Sequence, residues 1–456
     1  MSLLKQTVKS TSLIAASNYV QIAFSIATLF LLLWLLPVDE YGLFVLALTV
    51  PITIDGIFLN LGFSPVIISE LANFRALGEM GKVRRLFFDY AKLQFLGSIL
   101  AVLFVLGASM LFAAEFGDGL VALLMISSVI IFTEMLKRLL ITYFSSKSSF
   151  REQAFIVSGE AISKAFLLLI FVYYFGMGAE GAMISYPLAT LLPSLLLAVP
   201  FFRELSELKK IQERAGNILK DIIMAHGKYA LFSYQIRTIR GNFPIWAIGY
   251  LLGADKVALF SAALRFLQPI TGLVASLETI ATPTMSSLIT KSREQAVIFY
   301  SKMSKMGFYI SAVLAVAAFF IVPLVIDLFF YAKYSGSIPL FRILLISQII
   351  GGLAAGQRGL LFAMREQKIL FNVSVLWLAL TVLLVPLYAV YFGLEGACIG
   401  FVLASGSLIV RAAMISDALG RKLDLRELFL PAKGDIDLMK RILHGVWRRL
   451  RRSSRL

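Results

Sequence analysis

Apolar runs of about twenty residues recur along the whole chain, separated by short polar breaks. Each run is long enough to cross roughly 30 Å of hydrocarbon as a helix. Hydropathy predicts about twelve such helices. Six lie near 11–36, 41–64, 91–113, 119–143, 154–175 and 180–202. Six more lie near 228–252, 256–288, 306–330, 337–363, 369–392 and 395–416. The pattern predicts an all-α polytopic membrane protein.

The polar breaks carry charge in alternation. With the N-terminus placed inside, the first inside segments hold Lys5, Lys9, Arg75, Lys82, Arg84, Arg85, Lys92, Lys147 and Arg151. Later ones hold Arg203, Lys209, Lys210, Arg214, Lys220, Lys228, Lys291, Arg293, Lys302, Lys305, Arg365 and Lys368. The opposite loops hold Lys256 and Lys333, against Asp39, Glu40, Glu115, Asp118, Glu180, Asp255 and Glu395. This is the asymmetry of the positive-inside rule, so both termini are expected in the cytoplasm. The net charge of +16 reads as topology, with attraction to anionic lipids at the inner surface as a second effect. Nucleic acid is not needed to explain it. The opposite loops are short and leave no room for a domain that carries chemistry.

Composition agrees. The 456 residues are 59% hydrophobic and 15% charged, with mean hydropathy +0.85, whereas a soluble chain carries roughly 25% charged residues. The single Cys398 excludes an internal disulfide, and His226 and His444 lack metal-ligand spacing. The stretch MSLLKQTVKSTSLIAASNYV runs into an apolar span without a small-x-small cleavage site, and reads as an uncleaved first helix. Gly81-Lys82 and Gly227-Lys228 lack the Gly spacing and following Ser/Thr of a P-loop. No metal, cofactor or enzymatic constellation is expected.

The chain also repeats itself. YFGMGAEGAMI, from Tyr174, returns as YFGLEGACI, from Tyr391. Phe175-Gly176 recurs as Phe392-Gly393, 217 positions on, and Gly181-Ala182 as Gly396-Ala397, 215 on. LLPVDEYGLF aligns with LLGADKVALF at 216, while Pro51-Ile-Thr and Pro65 match Pro269-Ile-Thr and Pro283 at 218. Arg151-Glu-Gln matches Arg365-Glu-Gln at 214. Matches in chain order at nearly one offset predict two pseudo-symmetric six-helix lobes in the same orientation around a central cavity. The lobes are 1–202 and 228–416, joined by a cytoplasmic linker at 203–227 and followed by a basic tail at 417–456. In the tail Ile436, Met439, Ile442, Leu443, Val446, Trp447 and Leu450 share one helical face among arginines, the pattern of a cationic helix on the inner membrane surface. Docking of glycan-assembly enzymes is the other use such a tail has.

LPVDEYGLFVLALTV, LNLGFSPVIISELA and YFGLEGACIG carry a family resemblance. The chain resembles the Wzx-type polysaccharide and O-antigen flippases of the multidrug/oligosaccharidyl-lipid/polysaccharide (MOP) exporter superfamily. The resemblance implies twelve to fourteen helices, with helices 1, 2, 7 and 8 lining the cavity. It implies a polyprenyl-diphosphate-linked oligosaccharide as substrate, flipped across a bacterial inner membrane. Two relatives stand beside that reading: a cation-coupled multidrug exporter, and a lipid II flippase, which usually has two further helices. A glycan polymerase or ligase would need a sizeable outside loop.

Ionisable groups inside a membrane are costly and mark pathways or pairs. Arg237 and Arg240 lie ~14 and ~18 Å into helix 7 counting from Lys228, near the midplane and on one face. Two such guanidiniums suit a diphosphate; the alternative is a structural pairing with Asp55 or Glu278. Arg265 on helix 8 joins them as a candidate, beside Pro269, which is expected to kink that helix. Asp55 and Glu278 are candidates for coupling or counter-charge. Lys137 and Arg138 either snorkel or form a cavity mouth, and Arg342, Arg358 and Arg411 are expected to snorkel. Glu160 and Lys164 read as a local i, i+4 ion pair. Asn18, Tyr19 and Gln21 on helix 1, with Tyr234 and Trp246 on helix 7, are candidate sugar contacts, or equally helix packing and interface belts.

Overall fold

The computed structural model describes residues 3–59, 64–211, 218–225, 228–330 and 333–419. The amphipathic helix expected in the tail lies outside them. The described residues form fifteen helices in chain order: α1 Leu3–Leu35, α2 Val38–Phe58, α3 Ser64–Ala76, α4 Met80–Ser146 and α5 Phe150–Leu168. There follow α6 Gly178–Lys209, α7 Ile218–Ala225, α8 Lys228–Leu252, α9 Ala254–Phe266 and α10 Gln268–Lys291. The rest are α11 Arg293–Phe329, α12 Ser337–Gly352, α13 Gln357–Ala363, α14 Gln367–Ser405 and α15 Ser407–Leu419. A π-helical turn, Leu169–Tyr174, extends α5.

Nine described stretches are long and apolar enough to cross a membrane, or ten with the bent pair Ala254–Phe266 and Gln268–Glu278. One of the nine, Gln367–Leu419, turns at Gly393 (φ 63°) and therefore contains two helical arms. Lys228–Leu252 stands apart because Gln235, Arg237, Arg240 and Asn242 lower its hydropathy, yet its 25 residues reach ~37 Å. With these arms included, the helices reach the twelve or so that hydropathy predicts. The chain is a multi-pass membrane protein.

The repeated glycines do the same physical work twice. Gly176 (φ 65°) and Gly393 (φ 63°) both take left-handed backbone that other residues resist. Three to five residues on, closeness matters instead: a Cβ on Gly181 would lie 3.0 Å from the Phe171 carbonyl, and one on Gly396 2.1 Å from that of Tyr388. One sequence match is displaced from its structural counterpart. Ser148 (φ 58°) and Arg365 (φ 62°) each sit two residues before their helix, α5 and α14, and are 217 apart. The structural offset is thus that of the glycine turns, and Arg151-Glu-Gln lies three positions out of step with Arg365-Glu-Gln.

Packing divides the chain into two compact units, 1–262 and 263–456. The packing boundary falls later than the repeat boundary, since α8 lies against α2. In the first unit Phe87, Tyr143 and Phe201 form a knot of edge-on rings with centroids 5.3–6.1 Å apart. Ile67, Leu71, Leu86, Leu140 and Ile156 bury around it. In the second, Met285, Tyr300, Leu360 and Val373 form the centre. There α11 and α12 touch at glycines: a Cβ on Gly307 would stand within clashing distance of the Gly352 carbonyl.

Candidate functional site

Three side-chain bonds fix the register of α8 on α2. Gln235 Nε2 donates to the Ile57 carbonyl (2.9 Å), Asn242 Nδ2 to Thr53 Oγ1 (2.7 Å) and Trp246 Nε1 to Thr49 Oγ1 (3.0 Å). Small residues bring the backbones together between those bonds. A Cβ on Gly56 would lie 2.7 Å from Thr238 Cγ2 and one on Gly249 2.6 Å from Leu46, while Gly42 abuts the Ala254 carbonyl. Numbers fall on α2 as they rise on α8, so the helices run antiparallel. Positions 235, 238, 242, 246 and 249 share one helical face.

Arg237 and Arg240 fall on the other side of α8, roughly 140° and 160° round from the centre of that face at 100° per residue. Arg237 is exposed and Arg240 half-buried. The Arg237 guanidinium lies 5.2 Å from the Tyr234 ring centre, a cation–π contact. The register also sets their height against α2. Gln235 is level with Ile57, so α8 starts about two turns beyond that point of α2. Measured from Leu252, Arg240 lies ~18 Å and Arg237 ~23 Å down the helix. Both arginines therefore lie between the levels of Ile57 and Thr53, toward the Phe58 end of α2.

The deep carboxylates have partners on other helices. Asp55 Oδ2 lies 2.5 Å from Arg138 Nη2, with side chains 14% and 11% exposed. Arg138 also donates to Gln94 Oε1 (2.8 Å), whose amide donates to the Leu59 carbonyl (2.9 Å), so α4 grips the end of α2. Beside this clamp Lys137 donates to Glu134 (2.6 Å) and to Glu160 (3.0 Å), and Lys164 donates to Glu160 (3.1 Å). Lys164 stands over the Tyr186 ring at 4.4 Å. The expected Glu160–Lys164 pair is present, and three carboxylates and three cations balance. Lys137 and Arg138 are held by this network on α2, α4 and α5.

In the second unit Glu278 pairs with Arg358 Nη2 at 3.0 Å. Arg358 is thus ion-paired where snorkelling was expected. Arg411 Nε donates to Gln357 Oε1, which is fully buried, and Arg342 stands over the Phe319 ring. The helix expected to kink near Pro269 does so: α9 and α10 bend by 45° at Leu267, with Pro269 in the first turn of α10 and Arg265 in the last turn of α9. On α1, Asn18, Tyr19 and Gln21 are exposed, while Tyr234 is half-buried and Trp246 makes the bond to Thr49. Among the described residues no three His, Cys, Asp or Glu side chains gather as metal ligands.

The sequence reading passed over Gln94, Glu134, Asn242, Thr49 and Thr53. One signal for Asn242 was available: Gln235, Thr238, Asn242 and Trp246 form a polar stripe at helical spacing, a bonding edge for a neighbouring helix. Chemically, α8 offers two guanidiniums on one face, each able to fork onto phosphate oxygens.

Residues 31–339 match the polysaccharide biosynthesis protein family. No curated protein sequence matches the chain. Among solved structures, an inward-facing multidrug resistance MATE family transporter of the MOP superfamily superposes with TM-score 0.72 at 18% identity, over 89% of this chain and 96% of that one. An outward-facing MATE transporter gives 0.63 at 19%, over 92% and 97%. A Pyrococcus furiosus MOP-superfamily transporter, described by the reverse polarity of its binding pocket, gives 0.61 at 19%, over 92% and 97%. A family match over more than half its length makes this chain a member of the polysaccharide biosynthesis protein family, with the fold of MOP-superfamily transporters.

Proposed function

We propose that the protein flips a polyprenyl-diphosphate-linked oligosaccharide, the repeat unit of an O-antigen, capsule or exopolysaccharide, across a bacterial inner membrane by alternating access. The observation that carries this reading is the arginine face of α8 in a chain of the polysaccharide biosynthesis family. Arg237 and Arg240 stand on one side of that helix, away from the bonds that fix it to α2. Neither the Asp55–Arg138 pair nor the Glu278–Arg358 pair draws on α8. An organic cation, the cargo of a multidrug exporter, would be repelled by two guanidiniums. A diphosphate would gain charge-assisted bonds from both.

In this reading Arg237 and Arg240 hold the diphosphate, with Arg265 as a further basic contact, and Asn18, Tyr19, Gln21 and Tyr234 meet the sugars. Both termini lie in the cytoplasm, and the basic tail rests on anionic lipids there, within reach of glycan-assembly enzymes. Two negative charges moved outward, driven by an inside-negative potential, gain ~4.6 kcal/mol at about 100 mV, so a coupled ion is not required.

The test is glycan export in cells carrying Arg237→Ala or Arg240→Ala at parental membrane abundance. Export should be abolished or greatly reduced, and neutralising Asp55 or Glu278 should not restore it. Recovery of export in Arg237→Ala with Asp55→Asn or Glu278→Gln would make the arginines structural counter-charges and sink the assignment.

A further inference from the structure

Each half of the repeat ties corresponding helices with an ion pair, but the two pairs are finished differently. α2 and α10 carry the matched Pro51-Ile-Thr and Pro269-Ile-Thr. Asp55 on α2 meets Arg138, which lies ten residues before the left-handed Ser148. Glu278 on α10 meets Arg358, which lies seven residues before the left-handed Arg365. The Arg138 side chain is 11% exposed and is also bound by Gln94, whereas the Arg358 side chain is 44% exposed. Arg138 is enclosed by its own unit. Arg358 keeps guanidinium donors accessible while Glu278 steadies it.

The level of Arg358 follows from α11. The exposed face of that helix is apolar: Val313, Val316, Phe320, Leu324 and Leu328 are each 62–71% exposed, as lipid contacts would be. Counted back from Phe329, ~30 Å of hydrocarbon ends near Tyr309. Beyond that edge α12 and α13 step down α11. Gly352 packs on Gly307, Ser304 Oγ donates to the Leu353 carbonyl (2.7 Å), and Gln357 Nε2 donates to Tyr300 Oη (3.4 Å). Arg358, next to Gln357, thus lies ~13 Å beyond the hydrocarbon edge, where its long side chain reaches the headgroup layer. In the orientation drawn from loop charge, this is the inner leaflet.

From that level a polar face leads into the membrane. On α10 the exposed positions Gln268, Thr271, Gly272, Ala275 and Ser276 lie within a ~140° arc. Thr271 Oγ1 also donates to Gln348 Oε1 on α12 (2.8 Å). Among the described side chains of α10, Leu273 is the only large apolar one exposed, and it lies outside the arc. Polar groups at membrane depth face water or protein rather than lipid, so this face is aqueous where that of α11 is lipidic. Glu278 and Arg358 stand at its cytoplasmic end.

We propose that Arg358 is a loading contact for the substrate: it takes phosphate oxygens of the polyprenyl diphosphate at the inner headgroup level, before the polar face of α10 receives the attached sugars. The planar fork matches phosphate oxygens, and Glu278 is its resting partner. A diphosphate with two charges displaces that carboxylate, whereas a phospholipid phosphodiester with one charge does not. The proposal rests on the flippase reading above and adds where the substrate is first held.

The test is binding of farnesyl diphosphate to the full chain in detergent. An Arg237→Ala, Arg240→Ala background keeps the arginines of α8 from contributing. Arg358→Gln should weaken binding about 10-fold, the loss of one charge-assisted bond. Glu278→Gln should strengthen it, because the competing carboxylate is gone; a merely structural pair would give losses in both. Since Arg358→Gln strands Glu278, the charge-balanced variant Glu278→Gln with Arg358→Gln guards against misfolding, and it should also bind weakly.

Absence of probe binding in that background, or undiminished binding in either Arg358→Gln variant, overturns the proposal. Excess dioleoylphosphatidylglycerol should leave the probe bound. Full displacement would make this a site for any lipid phosphate and overturn the diphosphate assignment. If cells export glycan without Arg237 and Arg240 while Arg358→Gln still weakens binding, the assignment on α8 fails and the loading contact stands.

Discussion

Arg138 on α4 and Asp55 on α2 form an ion pair at 2.5 Å, 83 residues apart in sequence, with the side chains 11% and 14% exposed. Removing one member of such a pair strands the other charge and typically costs ~3–5 kcal/mol. Asp55→Asn and Arg138→Gln should each lower the thermal midpoint of the detergent-solubilised protein clearly. The double variant should lie closer to the parent than the two losses added together. Additive losses would show that the pair contributes no coupling.

Shape should matter at the arginine face as well as charge. Arg237→Lys and Arg240→Lys keep the cation but lose the planar fork. Each is expected to retain export while losing on the order of 10-fold, about one charge-assisted hydrogen bond at the low end of its range. Glycan appearing at the cell surface, corrected for membrane abundance, is the measurement. Full activity in both lysine variants would mean that bidentate contact is not used.

The repeated turns allow a paired comparison. Gly393 has φ 63° and ψ −148°, a region nearly closed to other residues, with open space where a Cβ would go. Gly393→Ala should therefore cost ~1–3 kcal/mol through backbone strain alone. Gly396→Ala should cost more than Gly181→Ala. The first forces a Cβ to 2.1 Å from a carbonyl oxygen, whereas the nearest carbonyl to the second is at 3.0 Å. Thermal midpoints of the three variants give the order directly.

Orientation has a simple readout. In a chain lacking Cys398, cysteines placed beside Asp118 and Glu180 should react with an impermeant thiol reagent added to intact cells. One beside Lys209 should react only after lysis. Labelling at Lys209 in sealed cells would reverse the orientation drawn from loop charge.

The helices and their hairpins were decided by the sequence itself. In hydrocarbon each backbone must satisfy its own hydrogen bonds, so length and hydropathy alone specify a helix wherever charge is sparse. The turns at Gly176 and Gly393 were equally legible, because glycine is the residue that left-handed backbone admits without strain. Even the kink near Pro269 followed from local chemistry. Which charges meet did not. Asp55 looked like a counter-ion for the α8 arginines, but it turns toward α4, where Arg138 and Gln94 close around the end of α2. Arg358 looked like a snorkelling side chain until the packing of α10 against α13 brought Glu278 to it. The height of α8 against α2 was equally hidden, being set by Asn242 on Thr53 and Trp246 on Thr49. A helix's own sequence fixes its faces and its length. The neighbour that each face meets, and at what height, is decided by contacts between segments far apart in the chain, and so by the tertiary structure alone.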